Sequence, residues 1–255
     1  MIRILILLVC LPLMVNAQSQ LERLNSLNDV RAWSAVGRIN VEGGGFCTGT
    51  LVTERHVLTA GHCLFDAKTG LPVPVRKIEF RAGWTNGRAE AYRKIRSAVT
   101  HPAYSFSGNA GMDRVSSDVA ILELQMPIRH PWIKPMSIAQ LPAMGSDVAV
   151  VSYAHDRAES PSLQEICHMV AEESDALILN CNVDFGSSGA PIFRYDVGGP
   201  QIVSVVSAKA HMGTTPVALG AKAMRKLSEV PGFRLPAATV GTSTLPSIGL
   251  TFLKQ

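Results

Sequence analysis

The sequence has no apolar run long enough to cross a membrane, no basic stretch interleaved with aromatic residues and no internal repeat. The apolar run at residues 4–13 falls short of the roughly 20 residues that a transmembrane helix needs, which argues against a stable membrane anchor. The formal net charge of +4 comes from scattered basic pairs, such as Arg76-Lys77, rather than from a continuous basic surface. We therefore expect no nucleic-acid partner.

The N-terminus has the features of a secretory signal peptide at residues 1–17. Arg3 supplies the positive start, residues 4–13 the apolar centre, and residues 15–17 a cleavage site of the small-residue type. We expect a protein that is secreted, to a periplasm or to the extracellular space, and is monomeric. Residues 18–32 are then either an N-terminal segment or a short propeptide.

Cysteine is scarce, and its number fits export. Cys10 leaves with the predicted signal peptide, so that four cysteines remain in the mature chain: Cys47, Cys63, Cys167 and Cys181. An even number in an oxidising compartment indicates two disulfides. A zinc site at Cys47, His62 and Cys63 is the competing interpretation. The chain lacks paired ligands at zinc spacing, so we expect no metal.

The remaining chain is predicted to be all-β. Short runs rich in Val, Ile and Leu are mostly separated by Gly, Pro, Asn or Ser, as in barrels and sandwiches. Helical periodicity is confined to about residues 221–229. The predicted strands are residues 35–41, 49–53, 57–60, 77–81, 120–124, 147–153, 176–180, 191–195 and 201–208.

Three motifs supply a base, an acid and a nucleophile. His62 lies in Leu-Thr-Ala-Gly-His-Cys, Asp118 precedes an apolar run, and Ser188 lies in Gly-Ser-Ser-Gly-Ala-Pro. Serine acyl transfer needs a hydroxyl, an imidazole that takes its proton, and a carboxylate that orients the imidazole. Asp113 is a rival acid, but its Gly and Ser neighbours favour a loop, and Asp118 leads into a predicted buried strand. The order and context of the motifs therefore predict a catalytic triad.

The residues around Ser188 suit the same chemistry. Gly186 and Gly189 allow a sharp turn and leave room for a substrate carbonyl. The backbone N–H groups of Gly186 and Ser188 are the candidate oxyanion hole.

These motifs resemble those of the chymotrypsin/trypsin-like serine peptidases, in particular the secreted bacterial branch that includes glutamyl-endopeptidase-like enzymes. The resemblance implies two six-stranded antiparallel β-barrels with the active site in the cleft between them. It implies that His62 is the general base, Asp118 its partner and Ser188 the nucleophile. It also implies a Cys47–Cys63 disulfide, which leaves Cys167 and Cys181 as the second pair. The matching segments are residues 46–52, 59–63, 101–104, 117–120 and 186–191.

The expected domain is residues 33–230. Barrel one would span about 33–126, a proline-containing linker about 127–145 and barrel two about 146–230, followed by a tail at 231–255. The predicted function is a secreted serine endopeptidase that acts on protein or peptide substrates without a cofactor. A catalytically silent binding protein of the same fold and an esterase with the same triad are the alternatives.

The substrate pocket departs from the digestive enzymes of this family. Ser187 stands where they carry an aspartate that pairs with a freed N-terminal amine, so that activation route is not expected. Asn182, six positions before Ser188, matches the pocket floor, and its neutral side chain argues against a preference for Lys or Arg. Ser207 is the best match for the substrate-pairing serine, with Ser204 as an alternative. Lys209 would flank the entrance and favour an acidic side chain.

Overall fold

The computed structural model describes residues 19–108 and 111–234. The predicted signal peptide and residues 235–255 of the predicted tail lie outside the described residues. Within them the chain forms thirteen strands, three short α-helices and three 3-10 turns.

Barrel one is a closed antiparallel ring in the order β2-β3-β4-β7-β6-β5. In β5, Ile78, Phe80 and Ala82 are buried while the residues between them are partly exposed, the alternation expected of a strand with one face on a core. The six strands are β2 (Val36–Val41), β3 (Phe46–Leu51), β4 (His56–Thr59), β5 (Ile78–Ala82), β6 (Ala91–Thr100) and β7 (Ala120–Leu124).

Barrel two closes because β8 pairs with both β9 and β11, giving the ring β8-β9-β10-β13-β12-β11. A short strand, β1 (Glu22–Arg23), pairs with the first residues of β9 outside this ring. The six strands are β8 (Asp147–Ser152), β9 (Ser162–Glu173), β10 (Ala176–Leu179), β11 (Pro191–Asp196), β12 (Gly199–Met212) and β13 (Thr215–Lys222). The predicted architecture of two six-stranded antiparallel barrels is confirmed.

The helices are short and peripheral. They are α1 (Leu27–Ala32), α2 (Met112–Ser116) and α3 (Ala223–Leu227). Helix α1 begins after Ser26, whose hydroxyl accepts a hydrogen bond from the Asp29 N–H at 3.1 Å. This is the N-cap that a serine before an apolar helical face provides.

Two contacts hold the barrels together beside the cleft. Tyr153, at the end of β8, is fully buried and its hydroxyl donates to the Trp84 carbonyl of barrel one at 2.9 Å. Thr48 of β3 reaches the other way, since its N–H donates to the Ser188 carbonyl at 2.8 Å and its hydroxyl to the Gly186 carbonyl at 2.9 Å. The two Thr48 hydrogen bonds thereby fix the loop that carries Ser188 to barrel one.

The prediction of two disulfides is also confirmed. One joins Cys47 of β3 to Cys63, and the other joins Cys167 of β9 to Cys181. The first ties the turn that carries His62 to the neighbouring strand. The second ties the segment that leads to Ser188 to barrel two.

Candidate active site

The pairing of β4 with β7 brings His62 and Asp118 together. Thr59 at the end of β4 lies opposite Ala120 at the start of β7. Because the strands are antiparallel, the residues after Thr59 and those before Ala120 leave the barrel at the same end. His62 and Asp118 therefore meet just beyond the last paired residues of the two strands.

Asp118 accepts three hydrogen bonds, two of them from His62. Its Oδ1 accepts from the His62 backbone N–H at 2.8 Å, and its Oδ2 accepts from the ring Nδ1 at 2.7 Å. The same Oδ2 accepts from the Ser207 hydroxyl. Because an ionised carboxylate only accepts, the ring hydrogen must lie on Nδ1, which leaves the Nε2 lone pair available as a base.

The acid is buried and the imidazole is accessible. The Asp118 side chain is 5% exposed, whereas that of His62 is 27% exposed. Burial and the negative charge of Asp118 raise the pKa of the Tyr104 phenol, whose ring packs against Gly61. Low exposure strengthens the hydrogen bonds that Asp118 accepts, so the imidazole is oriented firmly while part of its ring stays accessible to solvent.

Ser188 lies in a loop that presses against the end of β4. A Cβ atom on Gly189 would lie 2.1 Å from Thr59 Oγ1 and 3.0 Å from the Ala60 nitrogen. Because Gly189 contacts Thr59 and Ala60, its neighbour Ser188, which is partly exposed, lies close to the turn that carries His62. Among the residues that the structure describes, no hydrogen bond joins the Ser188 hydroxyl to the His62 ring.

Two N–H groups in this loop are available to a ligand. Within residues 19–108 and 111–234, the amides of Gly186 and Ser188 donate to no protein acceptor, while those of Ser187 and Gly189 donate to Asp184 and Val206. Gly186 adopts a positive φ of 98°, and a Cβ there would lie 2.5 Å from the Phe46 ring. Glycine is thus required at this turn. Two unpaired N–H groups with one residue between them suit a developing oxyanion.

A buried polar cluster supports the loop from below. The Ser187 hydroxyl contacts the Ser152 hydroxyl at 3.2 Å and the guanidinium of Arg157 at 3.5 Å. Arg157 is 6% exposed, and its burial lowers the pKa of its guanidinium, against the opposing effects of Asp156 and Asp184. At this position the chain therefore has a neutral hydroxyl that contacts Ser152 and Arg157, where the digestive enzymes have an aspartate carboxylate.

Their hydrogen-bond partners distinguish the two candidate serines of the pocket strand, Ser207 and Ser204. Ser207 lies at a bulge in β12 and donates to Asp118. Ser204 is fully buried in barrel two, where its hydroxyl donates to the Ala221 carbonyl at 2.8 Å. Ser207 is the one that lies beside His62 and Asp118.

The other two pocket candidates, Asn182 and Lys209, are both exposed and have different partners. Asn182 is exposed, and its N–H donates to Gln164 Oε1 at 2.7 Å. Lys209 reaches across from β12 to form an ion pair with Asp184, and its ammonium lies 4.1 Å from the centre of the Phe185 ring. The Lys209 hydrogen bond, followed by that of the Phe185 N–H, lowers the pKa of Asp184.

The competing zinc ligands do lie together, since atoms of Cys47, His62 and Cys63 fall within 4.8 Å of one another. Both sulfurs, however, belong to the disulfide. Thiolates are the zinc ligands that cysteine offers, so this set does not fit zinc.

Sequence reasoning did not single out Arg157, Asp184 or Gln164. Each is an ordinary polar residue in a segment without a recognisable motif, and each acquires its role from a partner far away in the chain. Thr48 lies within one of the matching segments, but nothing in that segment indicates that it binds the Ser188 loop.

Comparison with known proteins identifies the family. The trypsin family profile matches residues 28–218. Serine protease 23 of Mus musculus is 33% identical over 165 residues, covering 58% of this chain and 42% of that protein, and coagulation factor IX of Cavia porcellus is 33% identical over 102 residues, covering 40% and 33%. The chain thus spans about two fifths of the first relative and about one third of the second.

A Glu endopeptidase structure, solved in complex with MPD, has a TM-score of 0.65 and 19% sequence identity, and covers 83% of this chain and 94% of that one. It shows the shared fold. These sequence relatives are animal proteins, so the expected bacterial branch stays a prediction. No helix among the described residues is long and apolar enough to cross a membrane. The chain belongs to the trypsin family of serine proteases.

Proposed function

We propose that the protein is a secreted serine endopeptidase, with Ser188 as nucleophile, His62 as general base and Asp118 as the residue that orients the imidazole. The hydrogen-bonded His62–Asp118 pair beside the Ser188 loop is the observation that carries this proposal. Two disulfides favour an oxidising compartment and so support secretion.

The proposed reaction begins with attack of Ser188 Oγ on the scissile carbonyl carbon. His62 Nε2 takes the hydroxyl proton, and the tetrahedral oxyanion binds the N–H groups of Gly186 and Ser188. His62 then donates the proton to the leaving amine as the C–N bond breaks, which leaves an acyl-enzyme. Water attacks the acyl carbon with His62 again as base. The ester bond to Ser188 then breaks, Ser188 Oγ recovers its proton from His62, and the carboxylic acid product leaves.

An extended peptide would bind along β12. Pairing between β11 and β12 ends at Pro191 and Val205, and beyond this point the chain of β11 has turned away toward Ser188. β12 continues to Met212, paired among the described strands with β13 alone. A substrate can add to this edge as an antiparallel strand, which favours a peptide over a small ester.

A fluorophosphonate probe tests the proposed mechanism. We expect the mature protein to be labelled, peptide mapping to place the phosphonyl group on Ser188, and Ser188→Ala to remove the label. Casein degradation would then distinguish an endopeptidase from an esterase. A correctly matured protein that no activated acyl reagent modifies would instead be a binding protein of this fold.

We further propose that Lys209 selects an acidic side chain on the acyl side of the scissile bond. Its ammonium is half exposed and already bound to Asp184, so a substrate carboxylate would compete with Asp184 for it. Lys209→Ala should lower kcat/KM for peptides cut after Glu by about tenfold, the effect of roughly one charge-assisted hydrogen bond, and should leave peptides cut after Leu unchanged.

The complementary variant is Asp184→Asn, which removes the competing carboxylate and should raise kcat/KM for the Glu peptides. Cleavage profiling with a peptide library measures both effects. A preference for large apolar residues that survives Lys209→Ala would overturn the assignment.

A further inference from the structure

One buried side-chain amide connects the N-terminal segment to the segment that leads to Ser188. Gln164 lies on β9 and is 1% exposed. Its Nε2 donates to the Ser19 carbonyl at 3.1 Å, and its Oε1 accepts from the Asn182 N–H at 2.7 Å. Because a carbonyl only accepts and a backbone N–H only donates, these partners also fix which end of the amide is which.

On the N-terminal side of this connection, hydrogen bonds hold residues 19–24 against β9 and the residue before it. The Ser19 N–H donates to the Ile166 carbonyl at 3.0 Å, and the Ile166 N–H donates back to the Ser19 hydroxyl at 2.8 Å. Further along, Glu22 and Arg23 form β1, and the buried Leu24 donates its N–H to the Pro161 carbonyl at 2.9 Å. Residues 19–24 therefore follow β9 over their whole length.

The other side of the connection is the segment that leads to Ser188. Cys181 is joined to Cys167 of β9 by a disulfide, and the His168 N–H of the same strand donates to Asn180 Oδ1 at 2.6 Å. Gln164 adds a further attachment to β9, at Asn182. The Gln164 side chain also contacts residues 19–24, through the Ser19 carbonyl.

We propose that residues 19–24 are a permanent part of the mature enzyme that supports the active site, and that Gln164 is a positioning residue for the segment at Asn182. This inference rests on the proposed peptidase function. Without the Ser19 carbonyl, the Gln164 amide would keep a buried donor with no partner, a state that costs enough free energy to drive reorientation. Reorientation would release Asn182 and loosen the floor of the proposed substrate pocket.

If residues 19–24 support the active site, residues 18–32 are an N-terminal segment of the mature enzyme and not a propeptide. A propeptide that ends before Trp33 would remove the partner of Gln164 on maturation. A structural segment would remain bound. We expect N-terminal sequencing of the secreted enzyme to find Ser19 retained.

The test is a double-mutant cycle on the secreted enzyme, measured with a peptide substrate. Deletion of residues 19–23 and Gln164→Met should each raise KM by about tenfold, and the combined variant should be no worse than either one, because both remove the same connection. Labelling by a small fluorophosphonate, which does not fill the cleft, should change by less than about threefold. Glu22→Ala is the matched control, because its side chain is exposed on the same segment.

A milder pair keeps the test informative if the deletion does not fold. Gln164→Glu retains the acceptor for Asn182 but places an oxygen opposite the Ser19 carbonyl, and Ser19→Ala removes only the hydroxyl contacts with Ile166. Both should raise KM in the same direction, without additivity. Additive effects, or a lowered melting temperature with unchanged KM, would overturn the inference. An unaltered enzyme that the probe fails to label would instead overturn the proposed function.

Discussion

Replacing Asp118 by Asn is expected to lower kcat for a peptide substrate by about 10,000-fold, the loss typical of a serine triad whose acid becomes an amide. In the unaltered protein, Asp118 Oδ2 accepts both from the His62 ring Nδ1 and from the Ser207 hydroxyl. The Asn amide has a single acceptor oxygen. When that oxygen accepts from the His62 backbone N–H, as Oδ1 does in Asp118, its NH2 group faces Nδ1 and can only donate to it. The imidazole would then carry its hydrogen on Nε2, where it cannot take the proton of Ser188.

Asp113→Asn is the matched control for this substitution. Asp113 is the other acid that the sequence offers, lies exposed in α2, and its backbone carbonyl accepts the Ser116 hydroxyl at 2.8 Å. Removing its charge should change kcat by less than about twofold, as expected for an exposed group outside the site. Steady-state kinetics on both variants measures the difference. Comparable losses in the two would contradict the assignment of Asp118, as would an Asp118→Asn enzyme with near-normal turnover.

The fold was predictable because most strands have an apolar, β-branched composition that is visible without neighbours. Nine predicted runs correspond to strands, but the barrel strands β6, β9 and β13 and the short β1 were not predicted. β6 carries Arg93, Lys94 and Arg96 among its apolar residues, and much of the strand is exposed or only partly buried. Such strands are defined by the partners on either side, which a local pattern does not contain.

The candidate site divides in the same way. His62, Asp118 and Ser188 lie in motifs whose flanking residue types are required by the local backbone. The glycines around Ser188, for example, adopt a positive φ. The supporting residues have no local signature. Arg157 acquires its role only when β8 and the Ser188 loop meet, and Gln164 only when residues 19–24 lie along β9.

Gly189→Ala is expected to be severe for stability as well as for activity. Gly189 has a φ of 80°, and a Cβ there would lie 2.1 Å from Thr59 Oγ1 and 2.2 Å from the Thr48 carbonyl oxygen. The carbonyl belongs to a barrel strand and cannot rotate away, so the Ser188 loop itself must move. We expect a loss of more than about 3 kcal/mol in the free energy of unfolding, because overpacking is added to backbone strain.

Gly145→Ala separates the two causes of that loss. Gly145 has nearly the same φ, 79°, but nothing lies within 4 Å of its would-be Cβ. Strain alone should cost about 1 kcal/mol there and lower the melting temperature by about 3 °C, with activity retained. Gly189→Ala should lower it by about 10 °C or more and abolish fluorophosphonate labelling. Because the two glycines have nearly the same φ, equal shifts would mean that the Ser188 loop is not pressed against β4, and the close approach that brings Ser188 to His62 would be refuted.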